Sequence, residues 1–133
     1  MEGQFRRSFE SLDEIFALTE QFFAREAIDR RHCNAINLAV EELFTNMVKY
    51  NPGGEGEIGL QLQLARDAVQ VRLSDREASP FDVTMTPAVD PDAPLQERQS
   101  GGLGLYLVHK FVDSLDYAYL DGQTTITFTR KLD

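Results

Sequence analysis

Leu12, Ile15, Phe16, Leu18, Phe22 and Phe23 recur at helical spacing, a wide stripe suited to core packing, and predict a helix ending near Glu26. Ser11-Leu12-Asp13-Glu14 supplies its start, a capping hydroxyl followed by acidic first-turn residues. Ile36, Val40, Leu43 and Met47, at intervals of three and four, predict a second helix from Asp29 to Tyr50, stopped by Asn51-Pro52-Gly53-Gly54. The period then changes to two. Ile58, Leu60, Leu62 and Leu64 alternate with Gly59, Gln61 and Gln63, and after Ala65-Arg66-Asp67-Ala68 the alternation resumes at Val69, Val71 and Leu73, which predicts an antiparallel hairpin with one buried face. A looser alternation from Gln4 to Phe9 predicts a short edge strand, and Tyr117, Tyr119, Ile126 and Phe128 flank Asp121-Gly122 as a closing hairpin. Between them, Gly101-Gly102-Leu103-Gly104 opens a third helix carrying Leu105, Leu107, Val108, Phe111 and Val112. From Arg76 to Ser100 no apolar period survives, and four of the five prolines fall there (Pro80, Pro87, Pro91 and Pro94). A loop of that length inside a compact domain is more often a lid or binding segment than a mere connection.

The order of strand, two helices, two strands, long loop, helix and two strands predicts an α+β two-layer sandwich, with the helices on one face of a mostly antiparallel, mixed sheet. A length of 133 residues fits one domain. Composition places the chain among globular proteins, with 42% hydrophobic and 26% charged residues. The net charge of −9 is spread over both halves and opposes direct, sequence-independent binding to nucleic acid or anionic lipid. No run approaches the roughly 20 apolar residues of a membrane span, and the N-terminus leads into no signal-peptide core, so a cytoplasmic location is expected. Cys33, the only cysteine, has no disulfide partner and is expected to be a small core or half-buried residue. His32 adjoins it on a helix, where neighbours in sequence do not share a face, so no His/Cys metal pair is expected; His109 is expected on a helix surface.

Three elements could carry chemistry. Glu42, Asn46 and Lys49 lie four and three residues apart on one helical side, a polar column about 10 Å tall that borders the apolar stripe. A carboxylate can take a proton from an attacking hydroxyl, an amide oxygen is a hard ligand for Mg²⁺, and an ammonium can meet phosphate. Taken alone, the same spacing also fits a solvated helix face. Gly101-Gly102-Leu103-Gly104-Leu105 opens a helix whose first-turn N–H groups favour an anion, or alternatively serves as a hinge and packing device. It is neither a P-loop, since no Lys-Ser/Thr follows, nor a Rossmann turn, since no strand directly precedes it. Asp75 ends the strand begun at Val69, where a carboxylate either accepts from an exocyclic amine such as adenine's or initiates a turn.

In their order and spacing these elements resemble the GHKL (Bergerat-fold, histidine kinase-like) ATPases. Glu42-Leu-Phe-Thr-Asn46-Met-Val-Lys49-Tyr50 is similar to the N box, Asp75 to the adenine-binding Asp, and Gly101-Gly102-Leu103-Gly104-Leu105 to the last glycine box. Ser79-Pro80-Phe81-Asp82 and Gly101-Gly102-Leu103-Gly104-Leu105-Tyr106-Leu107-Val108 most resemble the bacterial anti-sigma factor serine kinases of partner-switching systems. The resemblance implies one histidine kinase-like ATPase domain over residues 1–133, with an ATP lid at about 83–100. It implies an ATP- and Mg²⁺-dependent protein serine kinase that binds a sigma factor and phosphorylates an anti-anti-sigma STAS-domain protein. In it Glu42 would be the base that activates the substrate serine, Asn46 the Mg²⁺ ligand, and Lys49 would sit near phosphate. Asp75 would read adenine with support from Thr124, and Gly101 to Leu105, Gly102 and Gly104 above all, would hold the phosphates. A homodimer is a further expectation of the resemblance.

One departure stands out. Glu77 and Ser79 occupy places where the family has glycines that let the backbone pass close to nucleotide. This motivates an alternative of another class, a catalytically degenerate module of the same fold that acts by sequestering its partner; a nucleotide-dependent phosphatase or signalling domain using the same pocket is a third. Histidine kinase activity is not expected, because the 41 residues before Glu42 do not hold a phosphoacceptor hairpin as well as the first strand and helix.

Overall fold

The computed structural model describes residues 1–50, 56–75 and 102–132. Strand β1 spans Glu2–Arg6, helices α1 and α2 span Leu12–Glu26 and Arg30–Tyr50, and strands β2 and β3 span Glu57–Ala65 and Ala68–Asp75. Helix α3 (Gly102–Phe111) and strands β4 (Ser114–Leu120) and β5 (Gln123–Lys131) complete the order. The five strands form one sheet in the order β1-β2-β3-β5-β4, and every pairing is antiparallel, so the sheet is antiparallel and not mixed.

Period-two patterning sets the register. Leu60, Leu73 and Ile126 share one cross-strand row, and Leu62, Val71 and Phe128 the next, all buried on the face that carries the helices. The other face holds Gln61, Gln70, Arg72, Thr125, Thr127 and Thr129, none of them buried. The β4–β5 hairpin turns through Asp121 (φ 53°) and Gly122 (φ 79°), the left-handed pair that a two-residue hairpin loop requires. From the helical side Ile15 and Phe22 of α1, Ile36, Val40, Leu43 and Phe44 of α2, and Val108 of α3 close the core.

Two local expectations change. The first strand ends at Arg6, not Phe9, because Phe9–Ser11 turns into a short 3-10 helix capped by the Ser8 hydroxyl, which accepts from Glu10 N–H at 3.2 Å. Ser11 precedes α1 without capping it; its hydroxyl donates instead to Arg6 O at 2.8 Å, tying the helix start to the end of β1. Asp29 caps α2, accepting from Arg31 N–H at 2.9 Å. Cys33 is buried, as its packing role requires. His32 is buried as well, its Nδ1 accepting from Arg130 Nε at 2.9 Å, whereas His109 is partly exposed on α3.

Candidate functional site

The apolar phase of the sheet is broken at one end. The last inward-facing row runs across all five strands as Phe5, Ile58, Asp75, Thr124 and Tyr119, placing two polar side chains side by side where the neighbouring rows are apolar. Asp75 is fully buried and Thr124 is 3% exposed. The Thr124 hydroxyl has no hydrogen-bond partner among the described residues. A buried hydroxyl left in this state is costly unless something fills its place.

The second half of α2 approaches the same end. Arg7, just beyond β1, donates from one guanidinium nitrogen to Met47 O of α2 at 3.1 Å and forms an ion pair through the other with Asp75. A single side chain thus spans the end of β3 and the last turns of α2, the latter being where Asn46 stands. Asn46 is 2% exposed; its Nδ2 donates to Glu42 O, one turn earlier, at 2.6 Å. This fixes which way the amide points and leaves its Oδ1 buried without a partner among the described residues. An amide oxygen held in this way matches the hard-oxygen donor that Mg²⁺ takes.

Glu42 is half-buried, and its carboxyl pKa is raised, first by desolvation and then by the neighbouring Glu41, with Lys49 pulling it back. A carboxylate so placed is a better proton acceptor than one in water. Lys49 lies exposed on the same helix, within electrostatic reach of Glu42, at the edge of the buried column and not inside it. Helix α3 begins at Gly102 and packs on α2, so the backbone N–H groups of Gly102, Leu103, Gly104 and Leu105 belong to a first turn beside the Asn46 helix. Gly101, the lid expected at 83–100, and Glu77 and Ser79 lie outside the described residues.

Two of the three elements, the Asn46 helix and the Asp75 strand end, are therefore joined by direct contact through Arg7, and Thr124 is the register partner of Asp75. Arg7 carries no signal of this role in the sequence. Its partner lies 68 residues away, and no local pattern distinguishes it from the exposed Arg6 beside it. A cleft of about 460 Å³ opens beside this end, lined by Arg6, Arg7, Ser8, Ser11, Gly56 and Glu57 among others, and Arg7 is the one residue it shares with the buried group. Among the described residues there is no cluster of three or more His, Cys, Asp or Glu able to hold a metal, and no helix long and apolar enough to cross a membrane.

The chain is similar to known proteins in sequence and in fold. The sequence model of the histidine kinase-like ATPase domain matches residues 5–130. A serine-protein kinase RsbW of Listeria innocua is 33% identical over 112 residues, which cover 78% of this chain and 66% of that protein. Against RsbW proteins of two further bacteria the coverage falls to 54% and 52% of their length, so the chain spans about half to two thirds of the curated relatives it matches. In fold, it is similar to the structure of the RsbU and RsbW domains of a Mycobacterium tuberculosis protein (TM-score 0.72, 18% identity, 99% of this chain and 32% of that one). It is equally similar to the SiaB-SiaC complex from Pseudomonas aeruginosa (TM-score 0.70, 14% identity, 97% and 88%). With the family match covering nearly the whole chain and RsbW-type serine-protein kinases as relatives at about 30% identity, this chain belongs to the histidine kinase-like ATPase (GHKL) family.

Proposed function

We propose that the chain is a cytoplasmic protein serine kinase of the anti-sigma factor type, a single domain that binds a sigma factor and phosphorylates a STAS-domain anti-anti-sigma protein with ATP and Mg²⁺. The observation that carries this reading is the pair of buried oxygens, Asn46 Oδ1 and Thr124 Oγ1, without partners among the described residues, together with buried Asp75 and half-buried Glu42. Unsatisfied buried polar atoms are rare in folded proteins, and a cluster of them calls for a ligand rich in polar groups. A nucleotide meets that demand. Asp75 accepts from the adenine amine, with Thr124 completing the base pocket. The first-turn amides of α3, from Gly102 to Leu105 with Gly101 before them, face the phosphates, and Lys49 adds positive charge at the rim.

Asn46 Oδ1 is the oxygen that would hold Mg²⁺, which when bound neutralises charge on the phosphates. Phosphoryl transfer needs little covalent chemistry from the protein, and positioning with charge compensation supplies most of the acceleration. Glu42 would accept the proton of the substrate serine hydroxyl as that oxygen forms its bond to the terminal phosphorus and the bond from that phosphorus to the bridging oxygen breaks, with ADP as the leaving group. Its raised pKa keeps it a competent base while its place on the Asn46 helix keeps it near the phosphates. Residues 83–100 act as the lid, and the chain works as a homodimer in this reading.

The deciding experiment is transfer of labelled phosphate from ATP to a STAS-domain partner, comparing wild type with Glu42→Gln. Label on a serine of the partner that disappears in the variant, with nucleotide binding intact, supports the proposal; equal labelling removes Glu42 from the role. Glu77 and Ser79 favour one second reading, a module of the same fold that sequesters its partner without catalysis. Calorimetry with ATP and Mg²⁺ separates the two, because that module gives no binding heat and no thermal shift.

A further inference from the structure

The ion pair between Arg7 and Asp75 has an unusual setting. The Arg7 side chain is 3% exposed and that of Asp75 is 1% exposed. Taking both charges out of water is expensive, and a well-packed apolar pair in the same place is often as stable or more so, so stability alone is a poor reason for the pair. Orientation is a better one. A guanidinium is a planar fork of fixed donors, and among the described residues this one meets Asp75 Oδ1 on β3 and Met47 O on α2. Arg6, one residue earlier, pairs with Glu57 in the β1–β2 ladder and is exposed; Arg7, the first residue past that ladder, turns inward.

We propose that Arg7 is a positioning residue of the nucleotide site, whose guanidinium holds the Asp75 carboxylate in the orientation from which it meets the base. This rests on the nucleotide reading above and extends it to a residue outside the boxes that carry the family resemblance. A carboxylate offers about four acceptor directions, so a guanidinium on Oδ1 and an incoming amine do not exclude each other. The guanidinium instead fixes the plane of the carboxylate and supplies its countercharge. Because the same fork grips Met47 O, next to Asn46, it also sets the distance between the strand end that meets the base and the helix that faces the phosphates. Arg7 touches neither reacting atom, and its effect passes through Asp75.

A double-mutant cycle on the full chain tests this, with ADP and Mg²⁺ as the probe in calorimetry and thermal melts confirming that each variant folds. Arg7→Met and Asp75→Asn each weaken ADP binding, and Arg7→Met adds nothing once Asp75→Asn is present, a coupling of about fivefold or more. Arg7→Lys, which keeps the charge but not the fork, recovers part of the affinity and stands in for Arg7→Met should that variant fail to fold. In phosphotransfer assays, KM for ATP rises in the Arg7 variants while kcat at saturating ATP holds. Additive losses would place the action of Arg7 elsewhere and overturn the proposal, as would unchanged affinity. Tighter binding in Arg7→Met would show that the guanidinium competes with the base, and would overturn it too. Wild type that binds no ADP at millimolar concentration overturns the nucleotide reading itself, and this inference with it; the other failures leave that reading standing.

Discussion

Two of the three asparagines of helix α2, Asn37 and Asn46, stand in neighbourhoods that differ in one respect. Toward the start of the helix, Thr19 Oγ1 donates to Asn37 Oδ1 at 2.8 Å and Asn37 Nδ2 donates to Glu20 at 3.3 Å. Glu20 in turn takes both guanidinium nitrogens of Arg30, at 2.7 and 3.1 Å. Every side-chain group in this chain of contacts is answered by another residue. Toward the end of the helix the Asn46 Nδ2 donates to the backbone carbonyl of Glu42, and its Oδ1 and the Thr124 hydroxyl are buried without partners among the described residues. The same residue types fasten the fold in one place and, in the proposed function, meet a ligand in the other. Satisfaction of hydrogen bonds, more than residue identity, separates structural polar groups from functional ones.

Substitutions put this contrast to the test. The largest effect belongs to Glu42→Gln, for which phosphotransfer is expected to fall by about a hundredfold to ten thousandfold, as befits a general base, with the melting temperature and ADP affinity near wild type. The two asparagines come next and are expected to behave oppositely. Asn37→Ala should lower unfolding free energy by about 1 kcal/mol and leave turnover alone, whereas Asn46→Ala should abolish the Mg²⁺ dependence of nucleotide binding with a smaller effect in a denaturant titration. Equal stability losses with no change in Mg²⁺ dependence would erase the distinction. A gentler version uses the threonines. Thr124→Val removes an unanswered hydroxyl and should be neutral or slightly stabilising while weakening ADP binding; Thr19→Val strips Asn37 of its donor and should cost about 1 kcal/mol with binding intact.

The smallest effect is one of pH. Desolvation, with help from Glu41 and opposition from Lys49, raises the Glu42 pKa in the folded chain, so its catalytic limb should rise with pH at a midpoint above the ordinary carboxylate value. Its contribution to stability has the opposite sign. A carboxyl whose folded pKa is raised stabilises the native state below its unfolded pKa, and that contribution is lost as pH rises through the folded value. Turnover and the Glu42 share of stability should therefore run in opposite directions over the same window, and the Glu42→Gln variant should show neither dependence in paired rate and melting profiles.

Much of this was legible along the chain. Period-two and helical patterning, with the glycine run before the third helix, located both hairpins and the three α-helices, and the apolar phase Val69, Val71, Leu73 runs straight into Asp75, as Phe128 and Ile126 do in reverse into Thr124. A polar residue at an in-phase position is a visible anomaly before any coordinates exist. Glu42 and Asn46 could be placed on one helical side because helical geometry is local. What the chain could not reveal was the pairing of Arg7 with Asp75, the strand order β1-β2-β3-β5-β4, the diversion of the Ser11 hydroxyl to Arg6 O, or which asparagine of α2 would be left with an unanswered oxygen.

The amino-acid order determined the elements and their buried faces, because backbone periodicity and turn chemistry act between residues only a few positions apart. Tertiary structure decided which polar groups meet and which are left over. Partners 40 or 68 residues distant, such as Arg7 with Met47 and with Asp75, come together only when sheet and helices dock, and burial turns an ordinary side chain into one that must be answered.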